Sequence, residues 1–461
     1  MDSPRGRIHL VSQLLDGAEL TGAAAEHFDR CLGCMACMTA CPSGVQYDQL
    51  IEAARVWTEQ AHSPSASSPS QSPPSASPPI PAPSASSPSQ SFPSASPPVP
   101  APSGPSHDKS DLSDISHMRR RGSVAPGVGR RPVRDRAARA AIFALFPYPR
   151  RLRAAVGPLR LAQRTGLDQR IAASELPGRV SPALGAALRL APPPSRPVRL
   201  PERVAARGSR RAVVGMLTGC VQSVFFPRVN SATARVLAME GCDVVIPRGQ
   251  GCCGALSLHS GRAAEAAGFA ERTIAAFEHA GVDFVVVNSA GCGSAMKEYD
   301  RLLGGSSPLS GKVRDFSEFL AELGPVAERH PLPITAAYHD ACHLCHAQRI
   351  TRQPRDLLRA IPGLELVELA DAGNCCGSAG VYNLLQPEAA AELGRRKADA
   401  VQASGAPVLI SANPGCSLQI ASVLAARGQP ISVMHVAEVL DASIRGGGSG
   451  RGTEPDPPPR A

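Results

Sequence analysis

The sequence predicts an α/β protein with two tandem cysteine-rich repeats built on short parallel strands. A small helical module and a disordered Ser/Pro/Ala linker precede them. Three observations carry this reading. Four cysteines crowd the stretch Cys31-Leu-Gly-Cys34-Met-Ala-Cys37-Met-Thr-Ala-Cys41-Pro42. Residues 63–106 are almost entirely Ser, Pro and Ala. From about residue 209, short β-branched runs alternate with helical stretches, and the runs end at cysteines twice over in the same order.

Residues 7–20 have Ile8, Val11, Leu14 and Leu15 at helical spacing, which predicts an amphipathic helix. The cysteine run follows, and Tyr47 to Ala61 reads as a second helix. The run has the pattern C-x2-C-x2-C-x3-C-P. Three thiolates two residues apart wrap one corner of an iron–sulfur cube, and a cysteine followed by proline closes such a site. Zinc more often takes two separated C-x2-C pairs, and disulfides need an oxidising compartment. The reading is therefore a [4Fe–4S] site held by Cys31, Cys34, Cys37 and Cys41, in a ferredoxin-like module over residues 1–62. In two-cluster ferredoxins the fourth cysteine serves the neighbouring cluster. Cys41 thus asks for a partner run, and Met1 opens directly on DSPRGRIHLV. The expectation is a module truncated at its N-terminus, with another such run encoded upstream.

The linker, taken as 63–117, has too little apolar surface to offset the entropy of ordering. A basic helical connector is expected at 118–208. Residues 119–164 hold thirteen arginines against one acid, Asp135. Two readings stand for it: helices whose apolar face packs inward while the arginines face water, or a docking surface for an acidic partner or an anionic membrane face.

Repeat 1 is set at 209–328 and repeat 2 at 329–445. Cys220, Cys252 and Cys292 recur 122, 123 and 124 residues later as Cys342, Cys375 and Cys416. Cys253-Gly254 recurs as Cys376-Gly377. Three anchors so nearly in register indicate an internal duplication. Asn288 and Asn413 precede the last cysteine of each copy. The runs VVG, DVVIP, FVVVN and PVLISAN read as buried parallel strands, with helices at 227–240, 261–280, 387–403 and 416–427 between them. Each cysteine then falls past the carboxyl end of a strand, the edge where open α/β sheets bind ligands. Cys220, Cys252, Cys253 and Cys292 form one candidate quartet, and Cys342, Cys375, Cys376 and Cys416 the other. Cys242 and Cys345 lack counterparts and read as packing residues. His339, His343 and His346 surround Cys342 and are candidates to tune or ligate a metal. Residues 446–461 read as a disordered tail.

The chain has 461 residues, fourteen cysteines and a formal charge of +9, nearly all of the positive charge being arginine. With one tryptophan, five tyrosines and no nucleic-acid module, nucleic acid is not an expected partner. No apolar run reaches the roughly 18 residues of a membrane span. The expected location is the cytoplasm, with a peripheral site on the inner face of the cytoplasmic membrane as an extension of that expectation.

These residues resemble the iron–sulfur subunit of glycolate oxidase, also called glycolate dehydrogenase. The resemblance rests on DSPRGRIHLV, CLGCMACMTACPSGVQY, the two Cys-Cys-Gly modules, YHDACHLCHAQ, CCGSAG and NPGC. It implies electron transfer without catalysis of substrate oxidation on this chain. A separate FAD-containing subunit would oxidise the 2-hydroxy acid, and iron–sulfur clusters here would pass electrons toward a quinone or another acceptor. Gly249-Gln-Gly251-Cys-Cys-Gly254 has the G-x-G-x-x-G spacing after DVVIP, but its last three residues are the Cys-Cys-Gly module, so flavin is not expected on this chain. Relatives in heterodisulfide reductase end each module in C-x2-C; here Ala295 and Gln419 take the last position. Within the same class, a lactate-utilisation or anaerobic glycerol-3-phosphate dehydrogenase subunit is the alternative. In a different class stands a zinc-binding or redox-sensing thiol protein.

Overall fold

The computed structural model describes residues 1–63, 128–167, 170–171, 174, 177–178, 181–192 and 198–446. The linker at 63–117 and the tail at 446–461 lie, apart from Ser63 and Gly446, outside the described residues.

The N-terminal module is a cluster of helices. The first spans Pro4–Leu15, earlier than its apolar spacing suggested. Ser3 caps it, its Oγ accepting from Gly6 N–H at 3.1 Å, and Pro4 occupies the first turn, where no N–H is needed. Thr21 caps Gly22–Asp29 in the same way. Ala36–Ala40 is a single short helix, and Tyr47–Ala61 is the long one. Val11, Phe28, Ile51, Ala54 and Trp57 close a core beneath the cysteine loop.

The connector contributes helices Val133–Leu145, Pro149–Thr165 and Pro182–Arg189. Not all of its arginines face water. Arg131 and Arg139 turn inward, where Asp29, Glu59 and Asp135 meet them as ion pairs. Apolar positions Ile142 and Phe143 pack with Val381 and Leu384.

Repeat 1 holds strands β1 (Arg203–Val204), β2 (Ala212–Leu217), β3 (Cys242–Val245), β4 (Phe284–Val287) and β5 (Val313–Asp315). Their order is β1-β3-β2-β4-β5, parallel except for the antiparallel edge strand β1. Repeat 2 holds β6 (Thr335–His339), β7 (Glu365–Glu368), β8 (Val408–Ser411) and β9 (Ser432–Met434), all parallel in the order β7-β6-β8-β9. Without β1 the two sheets have one topology, which is the duplication seen in three dimensions.

The repeats share one hydrophobic core. Helix Pro227–Met239 of repeat 1 packs on helix Val436–Ile444 of repeat 2, and Phe316–Leu323 packs on Arg352–Arg359. Each repeat's first long helix thus covers the other's last. Val214, Met216 and Val286 join Tyr338, Ile410 and Leu440 in a single buried cluster.

Candidate functional site

The N-terminal thiols are gathered by two left-handed residues. Gly33 has φ +66° and Met35 φ +59°. Glycine adopts this conformation freely; Met35 is held in it by its buried side chain. Gly33 N–H donates to Cys31 Sγ at 3.4 Å, and Tyr47 Oη lies 3.4 Å from the same sulfur. The Arg55 guanidinium donates to the Cys31 carbonyl and, at 2.8 Å, to the carbonyl of His259 in repeat 1. Burial pushes the Cys34 thiol up to about 11, with the thiols of Cys342 and Cys31 adding to the rise. Burial also pushes Cys37 up to about 11, with Cys34 and Cys31 adding. Cys41 differs. Backbone N–H groups of Val45, Ser43 and Gly44, with Arg5, hold its thiol below the usual range.

In the repeats, both Cys-Cys-Gly turns sit directly on a helix. Gly254 has φ +84°, and a Cβ there would lie 2.9 Å from the Ala266 carbonyl oxygen. Gly377 has φ +89°, and its Cβ would lie 2.5 Å from the Ala390 carbonyl oxygen. Only glycine fits, which explains the third letter of the motif. The quartets converge as the strand order requires. Cys220 Sγ lies 3.6 Å from Cys252 Sγ. Cys252 contacts Cys253, which contacts Cys292. In repeat 2, Cys342 contacts Cys375, Cys375 contacts Cys376, and Cys376 contacts Cys416. Gly254 N–H and Gly377 N–H each donate to the first thiol of their pair, at 3.3 and 3.4 Å.

Neighbouring thiols and burial raise Cys252, Cys253, Cys292, Cys342, Cys375 and Cys376. Cys220 and then burial raise Cys252, against the opposing effect of Cys253; Cys253 and burial raise Cys292. Cys375 and burial raise Cys342. At Cys375 the lowering contact with Cys342 is outweighed by Cys376 and burial. Each quartet joins three buried thiols and one half-buried one in a chain of contacts, and every shift resolved within it is upward. That donor set fits an iron–sulfur cluster, whose iron binds thiolates. When bound, a cluster supplies one-electron storage and transfer. The chain's own residues shield it from water and aim N–H groups at its thiolates.

The last cysteine of each quartet is positioned by a helix-capping residue, and the capping pair is not the pair of asparagines. Asn413 Nδ2 donates to Cys416 Sγ at 3.4 Å. Its counterpart is Ser289, which lies at the same N-cap and whose side chain bonds Cys292. Asn288 instead bonds Asn230 and Thr233. The two caps meet across the repeats, Ser289 Oγ to Asn413 Oδ1 at 3.4 Å.

The histidines separate into three situations. His339 has a ring nitrogen within 4.8 Å of the sulfurs of Cys376 and Cys416. His343 stacks on His259, ring centroids 4.8 Å apart. His346 bridges Thr39 of the N-terminal module and the Gly373 carbonyl. His259 and Arg55 carried no signal in the sequence; Gly261, which packs against the Arg55 backbone, was the only local hint. Of the two unmatched cysteines, Cys242 lies in the core and burial pushes it up to about 11. Burial, with Cys342 adding, pushes Cys345 up to about 12.

No helix among the described residues is long and apolar enough to cross a membrane. Comparison with known proteins adds names to this geometry. A 4Fe-4S binding domain matches residues 26–47, and a cysteine-rich domain matches 214–297 and 336–421. Between them, residues 134–191 match the linker region of the glycolate oxidase iron–sulfur subunit. The chain is 32% identical to the probable glycolate oxidase iron–sulfur subunit of Bacillus subtilis over 456 residues, 95% of this chain and 87% of that one. It is 28% identical to the Escherichia coli glycolate oxidase iron–sulfur subunit over 96% of this chain and 88% of that one. A lactate utilization protein A of Exiguobacterium is 32% identical over 50% of this chain and 98% of its own length. Similarity over most of both chains, the shared linker and the thiol geometry agree that this chain belongs to the family of glycolate oxidase iron–sulfur subunits and serves in iron–sulfur electron transfer.

Proposed function

We propose that the chain relays electrons from an FAD-containing partner that oxidises a 2-hydroxy acid, glycolate in the first instance, toward a quinone. The partner would take a hydride from C2 and release a proton, leaving glyoxylate. The two electrons would then cross this chain one at a time. Cys31, Cys34 and Cys37, with Cys41 as the fourth residue of the run, would hold the N-terminal [4Fe–4S] cluster. Each repeat quartet would hold one further cluster. In this reading residues 1–62, 118–208, 209–328 and 329–445 act as cluster module, connector and two repeats. The complex would work in the cytoplasm, peripheral to the membrane that carries the quinone.

One observation supports a relay above all. Cys34 lies near enough to the repeat 2 thiols for Cys342 to raise its proton affinity and for it to raise that of Cys375. Two thiol sets packed this closely give electrons a short step between cofactors. The test is anaerobic co-purification with the flavoprotein partner, followed by addition of glycolate, lactate or glycerol 3-phosphate. Glycolate should bleach the broad absorbance near 400 nm and produce reduced-cluster resonances. A colourless protein with zinc in place of iron and sulfide would sink the reading. Bleaching by lactate alone would move it to the lactate-utilisation alternative.

A further inference from the structure

The two repeats present the same four cysteines to different surroundings. Leu217 ends β2 three residues before Cys220, and His339 ends β6 three residues before Cys342. Leu217 pairs in register with Val287, and His339 with Ser411. After the paired cysteines, Gly254 is followed by Ala255 and Gly377 by Ser378. The glycines rest on Ala266 and Ala390, which sets Thr273 against Lys397. At these four positions repeat 1 therefore has Leu, Val, Ala and a neutral Thr. Repeat 2 offers imidazole, two hydroxyls and an ammonium.

The polar set in repeat 2 is buried and underemployed. His339 is 0% exposed, and neither ring nitrogen has a hydrogen-bond partner among the described residues. The hydroxyls of Ser378 and Ser411 are buried and unpaired as well. Leaving such groups unbonded costs about 1–3 kcal/mol each, so a bound group that takes up their bonds is the economical explanation. A ring nitrogen of His339 faces the sulfurs of Cys376 and Cys416 within 4.8 Å. Lys397 is buried, ion-paired to Asp371 at 2.8 Å, and its charge acts on both His339 and Cys342.

We infer that His339 donates a ring N–H to a sulfur of the cofactor held by Cys342, Cys375, Cys376 and Cys416, and that this bond makes repeat 2 the higher-potential of the two repeat sites. The inference rests on the proposal that the repeat quartets hold clusters. Hydrogen bonds to sulfur and nearby positive charge stabilise the reduced, more negative cluster, and so raise its potential. An imidazole carries a ring N–H to donate in either protonation state. Repeat 1 has no donor at this register, and its cluster would be the harder one to reduce.

The test uses the cluster-loaded protein, with potentiometric titration followed by electron paramagnetic resonance. His339→Leu, which copies repeat 1, should keep its iron and shift one cluster's midpoint downward. His339→Gln, which keeps an N–H, should recover part of that shift. Wild-type protein carrying isotope-labelled histidine should show a weak nitrogen coupling to that reduced cluster, so the test survives a variant that fails to fold. Unchanged midpoints in His339→Leu, or no histidine coupling in the wild type, would overturn the inference. Cys376→Ala separates the two levels: if it loses no iron, the cluster assignment beneath the inference fails with it.

Discussion

Thr39 and His346, 307 residues apart in sequence, share a hydrogen bond of 2.9 Å. Thr39 lies between Cys37 and Cys41, and His346 lies four residues past Cys342. The other ring nitrogen of His346 is 2.8 Å from the Gly373 carbonyl, two residues before Cys375. One imidazole therefore spans the joint between the N-terminal thiols and those of repeat 2. The joint to repeat 1 is made instead by Arg55, which ties the Cys31 carbonyl to that of His259, and by the ion pairs of Glu52 with Arg301 and His259.

Cysteine replacement tests the relay. Cys34→Ser should remove the N-terminal cluster's resonance. Cys253→Ala and Cys376→Ala should each lose the iron of one repeat and slow transfer from the flavoprotein partner to a downstream acceptor. Iron analysis beside activity decides the matter: variants with full iron and full rate would make the paired cysteines packing residues.

Arg301 holds the N-terminal helix Tyr47–Ala61 to repeat 1. It pairs with Glu52 at 2.8 Å, Asp48 at 3.3 Å and Glu298. Arg301→Ala would remove the shared cation from a cluster of three half-buried or buried acids, leaving Glu52 only His259. The expected loss is about 2–4 kcal/mol, discounted from the range for fully buried pairs because Arg301 keeps some solvent. A thermal melt monitored at the single Trp57, which lies in that helix, would register it. An unchanged melt would mean that apolar contacts alone hold the joint.

The same cluster gives a pH dependence. Burial, with the charge of Glu52 next, pushes Glu298 from 4.5 up to about 8. The folded state thus holds a proton that the unfolded state releases between those values. Stability should be highest below about 4.5 from this group's standpoint and should fall as pH rises toward 8. Glu298→Gln keeps the shape and removes the titration, so its stability should be flatter between pH 5 and about 8 than the wild type's. Equal slopes in urea titrations at several pH values would count against it.

Gly261 tests how tightly the modules meet. It has φ +80°, and a Cβ there would collide with the Arg55 carbonyl oxygen. Gly261→Ala combines left-handed strain with that collision and should cost about 3 kcal/mol. Because the neighbour is backbone, it cannot swing aside. Limited proteolysis should then cut residues 1–62 free earlier than in the wild type.

The sequence by itself determined the ligand chemistry and the repeat. Thiol spacing is local: loops past strand ends place Cys220, Cys252, Cys253 and Cys292 together wherever that strand order forms. The duplication carries the same arrangement to the second copy. Strands rich in β-branched residues were legible for the same reason, while β1, β5 and β9, only two or three residues long, carry no period to read. Tertiary structure alone decided the rest. It merged the repeats into one core, turned Arg55, Arg131 and Arg301 from apparent surface charges into buried or half-buried ties, and matched Asn413 with Ser289. It also set Cys34 beside Cys342 and left His339 unbonded beside Cys376. These are contacts between segments separated in sequence, fixed by which helix covers which sheet, and neither hydrophobic period nor local spacing encodes that choice.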